Sequence, residues 1–155
     1  MTKLLQLYNL TVNKMICFST PLILLFTRIW VALIFFKSGY LKITTWDSTL
    51  YLFEEEYQVP IIPWQAAAYL ATAAELILPI FLILGLFTRP MAAILFMFNI
   101  IAVISYPILW ESGFYDHQLW GLMLLINVIW GAGILSLDHP LRRHFFNKQG
   151  VTIVN

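Results

Sequence analysis

Apolar residues in this chain gather into four long runs with short polar stretches between them. The runs cover about residues 21–42, 63–86, 90–109 and 117–137. Each approaches or exceeds the roughly 20 residues that a helix needs to cross hydrocarbon. A membrane β-strand would alternate apolar and polar positions, whereas Leu76 to Leu84 is apolar throughout, so a barrel is set aside and helices remain as the way to satisfy the backbone in lipid. The pattern predicts an all-α membrane protein, a four-transmembrane-helix bundle forming a single domain over residues 1–155. Thr88 and Arg89 sit in a connection too short for anything but an antiparallel hairpin of the second and third helices. Ser136, Leu137, Asp138, His139 and Pro140 close the fourth run, because a proline cannot continue a helix. Residues 1–20 read as a retained interfacial lead-in, since Asn9, Asn13 and Lys14 interrupt the apolar residues and no small-residue cleavage pattern follows. Residues 141–155 read as a polar tail.

The connection from Ile43 to Ile62 carries a pattern of its own. Leu50, Phe53 and Tyr57 recur at helical spacing, Asp47, Ser48 or Thr49 can cap the start, and Pro60 and Pro63 stop it. A short amphipathic helix is therefore expected in this first outer loop, lying on the membrane or over the bundle mouth. Asp47, Phe53, Glu54, Glu55, Glu56 and Tyr57 are its candidate partner surface. The three glutamates taken alone read as a solvated face.

Composition narrows the function classes. The chain is 61% apolar and only 11% charged, with a net charge of +1, which excludes an ordinary soluble domain and gives no basic excess for nucleic acid. Its single cysteine, Cys17, excludes an internal disulfide. His117, His139 and His144 fall outside the apolar runs, so a haem held by two histidines is not expected. No phosphate-cradling glycine motif occurs, and no thiolate or histidine set has the spacing of a metal site. Charge does sort by side. Lys3, Lys14, Arg89, Arg142, Arg143 and Lys148 flank one end of the four-span arrangement, and Asp47, Glu54, Glu55, Glu56, Glu111 and Asp116 flank the other. The positive-inside rule then puts both termini in the cytoplasm, with the acidic loops facing the periplasm of a bacterial inner membrane.

Ionisable groups within spans are costly and are default functional candidates. Arg28, Glu75, Asn99 and Asn127 fall about 10, 16, 13 and 15 Å from the cytoplasmic ends of their runs at 1.5 Å per residue. They are read as one buried polar layer, with an Arg28–Glu75 ion pair whose spare donors and acceptors are saturated by the two asparagines. Pro79 frees the carbonyl of Glu75 at the same level. Ala68, Ala71, Thr72, Gly131 and Gly133 are small residues that let helices approach. Lys37 and Lys42 are expected to snorkel to headgroups, and most tryptophans to anchor at the interfaces. Such a layer either fixes helix register or does chemistry, and both readings stay open. With no cofactor site of its own, the chain is not expected to be an enzyme by itself. A diffusible quinone is the carrier its polar groups fit, with Arg28, Asn99 and Asn127 as donors and Glu75 as proton carrier.

Three strings in order resemble a known family. Phe36-Lys37-Ser38-Gly39-Tyr40-Leu41-Lys42 resembles the FxxGxxK motif of the DoxX family. Glu75 followed by Gly85-Leu86-Phe87-Thr88-Arg89 resembles its second-helix pattern, and Gly131-Ala132-Gly133-Ile134-Leu135-Ser136-Leu137-Asp138 its GxGxxSxD ending. Phe36, Gly39, Lys42, Gly85, Arg89, Gly131, Gly133, Ser136 and Asp138 are thus the family-motif residues, and Arg28 matches a frequent family arginine. The resemblance covers about residues 22–138 and implies a four-helix inner-membrane accessory protein of a redox or copper-homeostasis system. The stretch Phe35 to Pro63 is similar to members that accompany biosynthesis of copper-binding modified peptides, which implies a peptide or membrane-protein partner. The alternatives are a quinone-binding subunit of an oxidoreductase, and a small-solute or lipid carrier. Four short helices enclose little volume, which suits an oligomer or hetero-complex under every one of these readings.

Overall fold

The computed structural model describes residues 2–141 and His144. Among them no strand occurs and five α-helices account for most of the chain: α1 (Thr2–Thr44), α2 (Trp46–Glu55), α3 (Trp64–Leu84), α4 (Thr88–Ser105) and α5 (Phe114–Trp130). The expected tail, with Arg142, Arg143 and Lys148, lies outside the described residues apart from Leu141 and His144.

Helix α1 does not begin at residue 21 as the apolar run predicts. It starts at Thr2 and carries Pro21 inside it, so lead-in and span form one helix of 43 residues. No glycine interrupts residues 2–20, and a proline removes only the hydrogen bond to the carbonyl four positions back, here that of Cys17. The short outer helix is present as α2. None of the expected capping side chains closes it: its N-cap is Thr45, without a side-chain bond, and Thr49 Oγ1 instead donates back to the Lys42 carbonyl at 3.1 Å.

The α3–α4 hairpin turns on Gly85, whose φ of +66° is in the left-handed region that glycine enters without cost. Helix α4 ends at Ser105, four residues before the apolar run does, and a 3-10 turn over Pro107–Trp110 follows. The larger departure is at α5, which begins at Phe114 and stops at Trp130 instead of running from 117 to 137. Gly131 and Gly133 have φ of +75° and +69°, so these two small residues end the helix, and a Cβ there would meet Arg89 of α4 at 3.3 Å and Leu24 of α1 at 3.2 Å. The apolar side chains after them suit lipid, but the backbone there is irregular.

The four long helices form a ring in which α1 neighbours α3 and α5, and α4 neighbours the same two. Val31, Ala32 and Phe35 of α1, Leu82 of α3, Ala92 and Leu95 of α4 and Leu124 of α5 make the core. Edge-on contacts of Phe35 with Phe98 and Trp120, both with ring centroids 6.2 Å apart, fill the middle of the bundle. A second core, Phe53 with Ala67 and Ala68, fixes α2 against α3. Helices α1, α3 and α4 are long and apolar enough to cross a membrane. Helix α5, at 17 residues, is about 26 Å long and just short of the roughly 30 Å hydrocarbon layer.

Candidate functional site

Glu75 and Lys42 meet next to a tight contact between α1 and α3. At Gly39 an added Cβ would lie 2.8 Å from the Glu75 Cβ, so only glycine lets α1 press against α3 at this level. One turn further along α1, Lys42 Nζ is 2.6 Å from Glu75 Oε2, with the two side chains 16% and 7% exposed. The same ammonium donates to Ser38 Oγ at 2.9 Å. An ammonium has three N–H donors, so two are used and one is left for a further acceptor. Lys42 therefore does not snorkel. Helix α1 ends at Thr44 while α3 starts several residues further out, and α2 covers the difference, which keeps Lys42 beneath a roof.

The expected Arg28–Glu75 pair is not formed. Arg28 is 1% exposed, and its guanidinium donates to the Ala132 carbonyl at 3.0 Å and the Leu135 carbonyl at 2.8 Å. The eleven residues from Arg28 to Gly39 span about 16 Å of helix, which separates the arginine from Glu75 along the bundle axis. Irregular backbone at membrane depth is tolerated only where its polar groups find partners in protein, and Arg28 supplies two donors to the stretch that follows α5. Asp138 completes this closure: its carboxylate accepts from the backbone N–H of Phe87 at 2.8 Å and of Thr88 at 2.9 Å. That is an N-terminal cap for α4 delivered from 50 residues away. A Cβ at Gly85 would lie 2.6 Å from Ser136 Cβ and 2.8 Å from Arg28 Nη1.

The two asparagines are buried, but each makes its own contact and neither joins a common layer. Asn127 Nδ2 donates to Thr27 Oγ1 at 3.2 Å and to the Met123 carbonyl at 2.8 Å. Asn99 Nδ2 donates to the His117 carbonyl at 2.9 Å, and its Oδ1 lies 2.8 Å from His117 Nδ1. With Nδ2 donating, Oδ1 must accept, so His117 carries its proton on Nδ1 and presents Nε2 as the basic nitrogen. His117 is thus inside α5, one turn from its start. Its position at the edge of the apolar run hid this.

A family model for DoxX matches residues 23–107, more than half of the chain. The chain belongs to the DoxX family. The comparisons with curated proteins and with solved structures found no match. The DoxX match ends before the GxGxxSxD string, yet the structure ties that string into the matched part, because Asp138, Ser136 and the 132 and 135 carbonyls close on Phe87, Thr88, Gly85 and Arg28. Arg89 adds a contact to the Ile129 carbonyl at 3.2 Å. With three helices able to span and a DoxX domain, this is a multi-pass membrane protein. The residues of the strings that resemble DoxX motifs divide by place: Gly39 and Lys42 belong to the Glu75 site, and Gly85, Arg89, Gly131, Gly133, Ser136 and Asp138 to the closure at the basic end.

The expected partner surface on α2 is split. Asp47, Glu54 and Glu55 are exposed, whereas Phe53 is buried and Glu56 and Tyr57 are half-buried. Amphipathic spacing turns one face of α2 inward, where Phe53 packs on Ala67 and Ala68. Tyr57 and Tyr106 stack edge-on with centroids 4.6 Å apart, and Tyr106 donates its hydroxyl to Glu56 at 2.9 Å. Burial pushes the Tyr57 phenol up to about 12, with smaller contributions from Tyr106, Glu75 and Glu56. Beside the Lys42–Glu75 pair an open groove of about 370 Å³ runs along α1 and α3, lined by Ile43, Trp46, Tyr69, Thr72, Ala73 and Leu76. The Lys42–Glu75 pair thus lies under α2, near an apolar groove on the side of the bundle.

Proposed function

We propose that this DoxX protein is an accessory membrane component of a redox system, set in a bacterial inner membrane with cytoplasmic termini, and that it docks a quinone head group at Lys42 and Glu75. The observation that carries the reading is the roofed Lys42–Glu75 pair at 2.6 Å; the apolar groove lined by the neighbouring Ile43 and Leu76 is where an isoprenoid tail would lie. Lys42 is a donor suited to a carbonyl oxygen, and Glu75 is an acceptor suited to a hydroxyl and able to hold a proton. A bound quinone supplies two-electron, two-proton chemistry, which this chain's side chains do not provide. The lysines and arginines at the Arg89 end support the orientation.

The geometry gives less to the other readings. A carrier needs a path, and Phe35, Phe98 and Trp120 fill the middle of the bundle. A copper-binding peptide would have Asp47, Glu54 and Glu55 to dock on, since Phe53 and Tyr57 hold α2 to the bundle.

The test is titration of the purified protein with a short-chain ubiquinone, read by tryptophan fluorescence. Lys42→Met and Glu75→Gln should each weaken binding roughly tenfold or more, the value of one charge-assisted hydrogen bond. Arg28→Lys should leave the affinity of the folded protein unchanged. Folded Lys42→Met and Glu75→Gln proteins that bind as tightly as wild type would overturn the proposal.

A further inference from the structure

Helix α1 has 43 residues and is about 64 Å long, twice the roughly 30 Å of a hydrocarbon layer. Its surplus is at the Thr2 end. From Lys3 to Phe18 every described side chain is exposed except that of Val12, which is half-buried. Leu4, Leu7, Tyr8, Met15 and Phe18 are each more than 60% exposed. Side chains of this kind cannot stay in water at such density.

The pattern around the helix indicates what covers them. Gln6, Asn9, Asn13 and Cys17 recur at steps of three and four residues along one face, and Leu4, Tyr8, Met15 and Phe18 stand on the opposite one, with Val12 beside them. Lys3 and Lys14 stand on the border between them, and no Asp or Glu occurs before Asp47. The segment is amphipathic and purely cationic. It is also joined directly to a spanning helix, so a bilayer surface is always within reach. Pro21 leaves the Cys17 carbonyl without its helical partner and gives the place to bend.

We infer that residues 3–18 form a docking helix for an anionic bilayer surface, turned at Pro21 to lie flat with Tyr8, Val12 and Met15 in the acyl boundary and Lys3 and Lys14 among phosphate headgroups. The flat orientation buries the apolar face without a protein partner, and the lysines select anionic over neutral lipid. This inference stands apart from the quinone reading, since it uses neither Lys42 nor Glu75.

The test uses the full chain with Cys17→Ser, carrying Tyr8→Cys, Val12→Cys, Gln6→Cys or Asn13→Cys one at a time, in phosphatidylcholine vesicles with and without phosphatidylglycerol. A water-soluble maleimide is present on both sides of the membrane. In anionic vesicles the thiols of the Tyr8→Cys and Val12→Cys proteins should react roughly tenfold more slowly than those of the Gln6→Cys and Asn13→Cys proteins. Adding Lys3→Glu and Lys14→Glu should erase the difference, because each lysine near an anionic surface is worth roughly fivefold in binding. Equal rates at all four positions, or the same protected face in neutral and anionic vesicles, overturns the inference. So does protection that disappears when the protein is diluted into excess lipid, which identifies a second copy as the cover.

Discussion

Arg28 and Leu135 are 107 positions apart in sequence, and the guanidinium of the first lies 2.8 Å from the carbonyl of the second. With the Ala132 carbonyl at 3.0 Å, this makes Arg28 the support for the stretch that leaves α5. Arg28→Met removes both donors and leaves two carbonyls without them. At roughly 1.5–3 kcal/mol for a hydrogen bond to a charged group, the variant is expected to lose several kcal/mol of stability, measurable as a lowered Tm in detergent. Arg28→Lys should recover only part, since an ammonium lacks the fork that reaches both carbonyls.

Asp138 holds the first N–H groups of α4 from the far end of the chain. Asp138→Asn keeps one acceptor and loses the charge, so a cost of about 1 kcal/mol is expected, the usual scale for a helix cap. Gly85→Ala should cost more, because φ is +66° and the new Cβ meets Ser136 and Arg28. Comparing the two Tm values checks the order.

The Asn99–His117 clasp joins α4 to α5 through two contacts. Asn99→Leu and His117→Ala should each destabilise the bundle by about 1–3 kcal/mol, and the double variant should cost less than the sum, with a coupling of about 0.5–3 kcal/mol. A double-mutant cycle on thermal stability reads this directly. In the folded wild type, ring-nitrogen shifts from NMR should report the proton on Nδ1.

Tyr57 gives a pH dependence with a definite sign. Its phenol is raised from 10.0 to about 12, so the folded state favours the protonated form. That stabilisation is fully present below pH 10 and is lost as pH rises towards 12. Tyrosinate absorbance should show a late component, to which Tyr106 also contributes because its bond to Glu56 raises it, and Tyr57→Phe should remove the part near the upper end and the corresponding fall in stability.

How much of this was legible in the sequence follows from what periodicity can and cannot encode. Hydrophobic run length located the long helices and the hairpin at Thr88 and Arg89, and the spacing of Leu50, Phe53 and Tyr57 located α2. Run length cannot show that Gly131 and Gly133 take positive φ, because a glycine is as apolar in a count as an alanine, so the run places the end of α5 seven residues too late. The polar layer was misassembled for a related reason. Depth counted from run ends puts Arg28 and Glu75 on one level, but α1 extends back to Thr2 and stops below the outer end of α3. The signal that would have found Lys42 is Gly39: a glycine one turn from a lysine on α1 marks the level at which another helix comes close. His117 was missed because a histidine at the edge of an apolar run looks like loop.

The central claim is that Lys42 and Glu75 bind a ligand and do not merely hold α1 to α3. Replacing both at once separates the two. A buried ion pair exchanged for apolar residues of similar size is often neutral in stability, whereas removing one partner costs about 3–5 kcal/mol. The measurement is therefore a ubiquinone titration of the Lys42→Met, Glu75→Leu double variant beside its Tm. The account predicts a folded protein with a Tm close to wild type and quinone affinity lowered tenfold or more. A folded double variant that binds quinone like wild type contradicts it, and the pair is then a helix fastener only.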